Sequence, residues 1–230
     1  MNRFEIFNKA DSTADLYLYG DIGGWWADIN SEKVREKLAQ LSEKTSEINV
    51  YLKSNGGDVF ESIAIKNILS RHSAKINVYI DGMAASGGSV IAMAGDNIYM
   101  YPDSMMMIHN PWTIAWGNKS DFLKVAEDLE KIEASLRGSY KARINCSEED
   151  LSALLDAETM LTADECFELN LCDEILESDD GNNSEDSAVQ GILKNKTDEN
   201  KYNPSDNKAM ISNAFKQYAN SLNNSNEKGE

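Results

Sequence analysis

The chain has 230 residues, 41% of them apolar, and a formal net charge of -17. That is enough for one sizeable core, or a core with a tail. The acidic balance excludes the clustered Lys and Arg on which nucleic-acid binding depends.

No apolar run reaches the length of about 18 residues that a membrane span needs. The N-terminus, MNRFEIFNKADSTADLYLYG, lacks the basic start and apolar centre of a signal peptide. Three cysteines, Cys146, Cys166 and Cys172, do not make a disulfide framework, and a cytoplasmic location is expected. Cys166 and Cys172 have no histidine nearby, so no metal site is expected. No cofactor is expected either, because G-x-G-x-x-G and P-loop patterns are absent.

In chain order, Asp15–Ile22 predicts a strand. Ser31–Leu41 predicts a helix with Val34, Leu38 and Leu41 on one face and Ser31 as its N-cap. EINVYLKS (Glu47–Ser54) alternates as a strand and runs into the turn Asn55-Gly56-Gly57-Asp58. Val59–His72 predicts a helix with Phe60, Ile63, Ala64, Ile68 and Leu69 inward. Lys75–Gly82 is the next strand and Ser86–Ala94 the next helix, followed by short strands at Asn97–Pro102 and Ser104–Asn110. Alternating strands and helices imply βαβ units around a mostly parallel sheet. Asp121–Ile144 predicts one long charged helix, either a lid on its own domain or a projecting oligomerisation element. Thr162–Asn170 predicts a last helix. From Glu177 the chain is polar and poor in large apolar residues, which predicts disorder. Within it Lys208–Asn220 has helical spacing and is either a transient helix or a partner-docking one. The expected division is a domain over 1–176 and a tail over 177–230.

The chemistry concentrates in GMAASGGS. Ser86 lies where a strand ends and a helix begins, with small residues, Ala84 and Gly88, two positions to either side. A serine on such a sharp turn needs small neighbours, and a helix start aims free N–H groups at an anion beside it. The plainer alternative is a helix N-cap in a tight packing contact. Of the two histidines, His72 sits at a helix end beside Arg71, whereas His109 closes the apolar run Met105–Ile108. A polar ring there must find a partner. Parallel strands gather their C-terminal ends on one side, which brings His109 toward Ser86. It is then either a general base or a structural histidine. The Gly56-Gly57 turn is either a second oxyanion donor or a plain connection.

Taken in order, SNGGD, GMAASGGS, MMIHNP, a long helix and ETMLTADECFELNLCDEI resemble the ClpP family of serine peptidases. The likeness is closer still to its phage-encoded, ClpP-like head maturation (prohead) proteases, and it covers roughly Leu16–Leu176. The resemblance implies a ClpP/crotonase-like α/β fold of repeated ββα units with a protruding handle helix, Asp121–Ile144, that joins one or two stacked rings of a homo-oligomer. It implies Ser86 as nucleophile, His109 as general base, and Gly57 and Gly87 as backbone oxyanion donors. By position relative to Leu161, Glu158 stands where the family has its aspartate, with Asp156 as second candidate and helix capping as the plain reading of both. Departures are Ser-Asn-Gly-Gly for the family's Ser-Pro-Gly-Gly and a short arm before Leu16. The arm puts an AAA+ unfoldase partner in doubt. Trp25 and Trp26 are core or interface residues. The expected substrates are proteins, capsid or scaffold among them, and the acidic tail is expected to be self-cleaved or scaffold-docking. The alternatives are a non-catalytic assembly component and a crotonase-like acyl-CoA enzyme.

Overall fold

The computed structural model describes residues 3–9, 12–24 and 29–177. Trp25, Trp26, the polar tail from residue 178 on, and Lys208–Asn220 lie outside the described residues. The elements are β1 (Arg3–Asn8), β2 (Thr13–Tyr19), α1 (Ser31–Leu38), β3 (Glu47–Ser54), α2 (Val59–Ser70), β4 (Lys75–Ala85) and α3 (Gly87–Ala92). They continue as β5 (Asn97–Met100), β6 (Met105–Ile108), α4 (Lys119–Lys141), α5 (Glu148–Asp156), β7 (Thr159–Thr162), α6 (Ala163–Glu168) and β8 (Glu174–Ile175). The class is mixed α/β.

The main sheet runs β1-β2-β3-β4-β5-β8. The β1–β2 pair is antiparallel and each later pair is parallel. Strand β4 serves two partners. Asn77–Ile80 pairs with β5, and Met83–Ala85 pairs with β6. Gly82, with φ 132°, sits between the two stretches in a conformation open to glycine. Strand β6 then pairs antiparallel with β7. Strand β6 thus replaces β5 beside the C-terminal end of β4, which stays paired with β3 through Ser54↔Ala84.

Period-two alternation sorts the faces. Leu16, Leu18, Ile48, Val50, Leu52, Ile76, Val78 and Ile80 are buried, as are Val34, Leu38, Ile65 and Leu69 of the helices. The opposite face repeats one residue type across strands, because the parallel register aligns Asn49 with Asn77 and Tyr51 with Tyr79. Tyr17, Tyr51, Tyr79 and Tyr99 stack in a row with ring centroids 4.8, 5.1 and 4.7 Å apart. Offset ring stacks of this kind add to the area they bury.

Several expectations needed correction. A strand, β1, precedes the one expected first, so the residues before Leu16 are not a bare arm. Asn30, not Ser31, caps α1, its Oδ1 accepting from Lys33 N at 2.9 Å. In α2 the buried face is Ser62, Ile65 and Leu69, while Phe60 is 62% exposed. The cause is steric: Ser62 lies under Gly87, and only a small side chain fits there. The segment between α4 and α6 contains a helix and a strand, α5 and β7, that the sequence pattern did not separate.

Asp81, on the tyrosine face, accepts a hydrogen bond from Tyr19. Desolvation pushes its carboxyl above the ordinary range, outweighing the opposing effect of Tyr19. A folded-state pKa above the unfolded one gives stability that is full at low pH and lost as pH rises through the folded value. Asp81→Asn removes that loss. Its Tm relative to wild type should therefore rise between about pH 4 and pH 7. An identical Tm difference at both pH values would contradict this.

Candidate active site

The register Ala85↔Met107 aligns the ends of β4 and β6, and Ser86 N donates to Met107 O at 2.9 Å. Ser86 and His109 therefore leave two neighbouring parallel strands on the same side. His109 Nε2 lies 2.7 Å from Ser86 Oγ, within hydrogen-bonding distance. His109 is 9% exposed, and the hydroxyl is the partner that its burial demands. His72 is elsewhere: its Nδ1 accepts from Ala74 N at 3.0 Å and closes a turn.

Ser86 has φ 53° and ψ -122°, a conformation that non-glycine residues adopt only under constraint. Such a residue stores about 1–3 kcal/mol. The constraint is visible in the packing around it. A Cβ on Gly56 would stand 2.6 Å from Ser86 Cβ and 2.8 Å from Gly87 N. A Cβ on Gly57, whose φ is 148°, would stand 1.9 Å from Ile22 O. A Cβ on Gly87 would stand 2.1 Å from Ser62 Oγ and 3.5 Å from Gly57 N. The turn from β3 into α2 is thereby pressed against the turn from β4 into α3.

Ile22 bridges this turn through Gly56 O and Asp58 N. That pattern leaves Gly57 N turned away from Ile22. Among the described residues, neither Gly57 N nor Gly87 N donates to a protein acceptor. These two amides come from adjacent turns that line the cleft together with Ser86, and N–H groups without a protein acceptor are the kind of donor an oxyanion needs.

Neither candidate carboxylate bonds to His109. Asp156 Oδ1 accepts from Asn110 Nδ2 at 2.6 Å, tying the end of α5 to the residue after His109. Glu158 shares the cleft wall with Ser86 and His109. The β6–β7 register ends at Ile108↔Thr159, so His109 and Glu158 are the next residues beyond the same end of the two strands. Glu158 follows the C-cap of α5 with φ 49°, a place usually given to glycine or asparagine.

The cleft encloses about 960 Å³. Ser86, His109, Gly57 and Gly87 share it with Phe60, Trp112 and the α4 residues Leu129, Ile132 and Leu136. Helix α4 therefore forms an apolar wall, while at its start Phe122 and Leu123 are 51% and 56% exposed. Sequence reasoning missed that wall, Ser62 beneath Gly87, and Asn110 with Asp156. Of these only the α4 stripe carried a signal, its apolar spacing. Among the described residues no group of His, Cys, Asp or Glu could hold a metal ion, and no helix is long and apolar enough to cross a membrane.

Gly57→Ala should cost about 2–4 kcal/mol in denaturant unfolding, because backbone must move. Gly24→Ala is the control. Gly24 has φ 84°, but a Cβ there meets nothing within 4 Å among the described residues, so its cost should be about 1 kcal/mol. Equal losses would mean that crowding at Gly57 is not what selects glycine.

A family model described as Clp protease matches residues 2–179. That span holds the whole of the cleft and every strand of the sheet. The chain belongs to the Clp protease family, a family of peptidases.

Proposed function

We propose that the protein is a serine endopeptidase that works through an acyl-enzyme on Ser86. The observation that carries the reading is the 2.7 Å approach of His109 Nε2 to Ser86 Oγ. His109 takes the hydroxyl proton as Ser86 Oγ attacks the peptide carbonyl carbon. The carbonyl oxygen becomes an oxyanion and accepts from Gly57 N–H and Gly87 N–H. His109 then gives its proton to the leaving amine. Water, deprotonated by the same imidazole, hydrolyses the ester and restores Ser86. No step requires a metal or cofactor.

Glu158 is the third member in this proposal. Its carboxylate would steady the imidazolium from across the strand end, whereas Asp156 is held by Asn110. Strain at Glu158 supports the choice, since an acid kept where glycine is easier suggests a role for the side chain.

The cleft is an open groove with an apolar wall, which suits an extended, unfolded segment. We propose phage head maturation as the setting, with flexible parts of capsid or scaffold protein as substrates in the host cytoplasm. The exposed apolar start of α4, with Trp112, Ile114 and Trp116 at 71%, 67% and 86% exposure, supports a homo-oligomer built through this region. A domain over 1–176 would then carry the chemistry and the acidic tail the contacts to scaffold or a site of self-trimming.

Fluorophosphonate should label wild type at Ser86, and intact-mass analysis with peptide mapping would locate it. Ser86→Ala and His109→Ala should each lower kcat/KM on a short peptide amide by about four orders of magnitude, and the double variant should lose little more. Additive losses would contradict a joint role. Glu158→Gly should move two properties in opposite directions. Relief of the positive φ should raise stability by about 0.5–1 kcal/mol. Loss of the carboxylate should lower kcat about a hundredfold or more. Unchanged kcat would remove Glu158 from the triad.

A further inference from the structure

Ser89 and Tyr140 form a buried pair that the chemistry above does not use. Ser89 is 0% exposed and Tyr140 1% exposed. Ser89 Oγ lies 2.6 Å from Ser86 O and 2.8 Å from the Tyr140 hydroxyl. The direction of both bonds follows from proton count. A carbonyl only accepts, so the single Ser89 proton goes to Ser86 O. The Tyr140 hydroxyl must then donate to Ser89 Oγ. Burial pushes the Tyr140 hydroxyl up to about 12, so it keeps that proton.

Packing alone does not call for these hydroxyls. Ser86 O already accepts from Ser89 N at 3.0 Å and Val90 N at 3.3 Å. Alanine and phenylalanine would fill the same space without burying polar atoms, which costs unless they are bonded. What the pair adds is a third donor on one carbonyl, anchored to a helix far along the chain. That carbonyl belongs to the Ser86–Gly87 peptide. The peptide is planar, and its C=O and N–H point in opposite directions. Holding Ser86 O toward Ser89 therefore aims Gly87 N–H toward the cleft.

We propose that Ser89 and Tyr140 are positioning residues that lock the Ser86–Gly87 peptide plane and so aim the Gly87 N–H at the oxyanion. The inference rests on the serine-peptidase reading. Tyr140 lies in the last turns of α4, and earlier turns of that helix line the cleft through Leu129, Ile132 and Leu136. Two hydroxyls thus connect the wall that substrate touches with the amide that receives the charge.

The test uses the full-length protein, with active sites counted by fluorophosphonate titration so that loss of folded protein does not enter the rates. Tyr140→Phe keeps the ring and its packing and removes only the hydroxyl. Its kcat on a short fluorogenic peptide amide should fall about tenfold with KM unchanged, less than the about 10²–10³ for outright loss of a donor. A peptide boronate, whose tetrahedral oxygen occupies the oxyanion position, should bind more weakly by the same factor. Ser89→Ala should shift both quantities in the same direction. Unchanged boronate affinity, or a raised KM with kcat intact, would overturn the inference. If wild type takes up label at Ser86 and both variants keep kcat, the inference alone fails. If wild type takes up no label at Ser86, the serine-peptidase reading fails and carries the inference with it.

Discussion

The side pairing of β4 with β6 is the constraint on which the rest depends. Only because β4 turns away from β5 at Gly82 and continues as Met83–Ala85 does its end meet the end of β6. The hydroxyl and the imidazole are separated by more than twenty residues of chain, and the pairing brings them to 2.7 Å. The strained Ser86 backbone follows from the same geometry. A strand that must end in register with Met107 and begin a helix at once leaves one residue to absorb the change of direction. About 1–3 kcal/mol of strain is tolerable there because the backbone on both sides is fixed by ladder and helix.

A second layer of constraint comes from crowding. The turns after β3 and β4 touch, so Gly56 has no room for a side chain; Gly87 is closed off by Ser62 and Gly57 by the Ile22 backbone. This closeness brings two amides from separate turns to one point. The same economy is seen at α4, one face of which is cleft wall while its start presents exposed apolar residues. On the proposed reading, a single helix would serve substrate contact and assembly together. The opposite face of the sheet, with its stacked tyrosines, takes no part in the cleft.

The parts of the site that sequence reveals are those where chemistry restricts residue type locally. A serine between small residues at a strand end, and a histidine closing an apolar run, are visible because each needs a particular neighbourhood. Their meeting was only an expectation from parallel topology, since no local pattern encodes the bend at Gly82. Phe60 was misplaced because helical periodicity gives a face but not its phase, and the phase was set by Ser62 fitting beneath Gly87. Strand β1 was passed over although RFEIFN alternates, and α5 and β7 were left unassigned, the turn between them resting on Glu158, a residue that announces no turn. The Ser89–Tyr140 bond was out of reach: an ordinary serine and an ordinary tyrosine, joined only by tertiary packing.

The account is tested most directly by a crystal structure of the protein after reaction with a fluorophosphonate. It predicts phosphorus bonded to Ser86 Oγ, with one phosphonyl oxygen at about 2.7–3.1 Å from both Gly57 N and Gly87 N. It also predicts His109 Nε2 still facing the modified serine. An adduct on another residue, or a phosphonyl oxygen turned to solvent away from both amides, would contradict it.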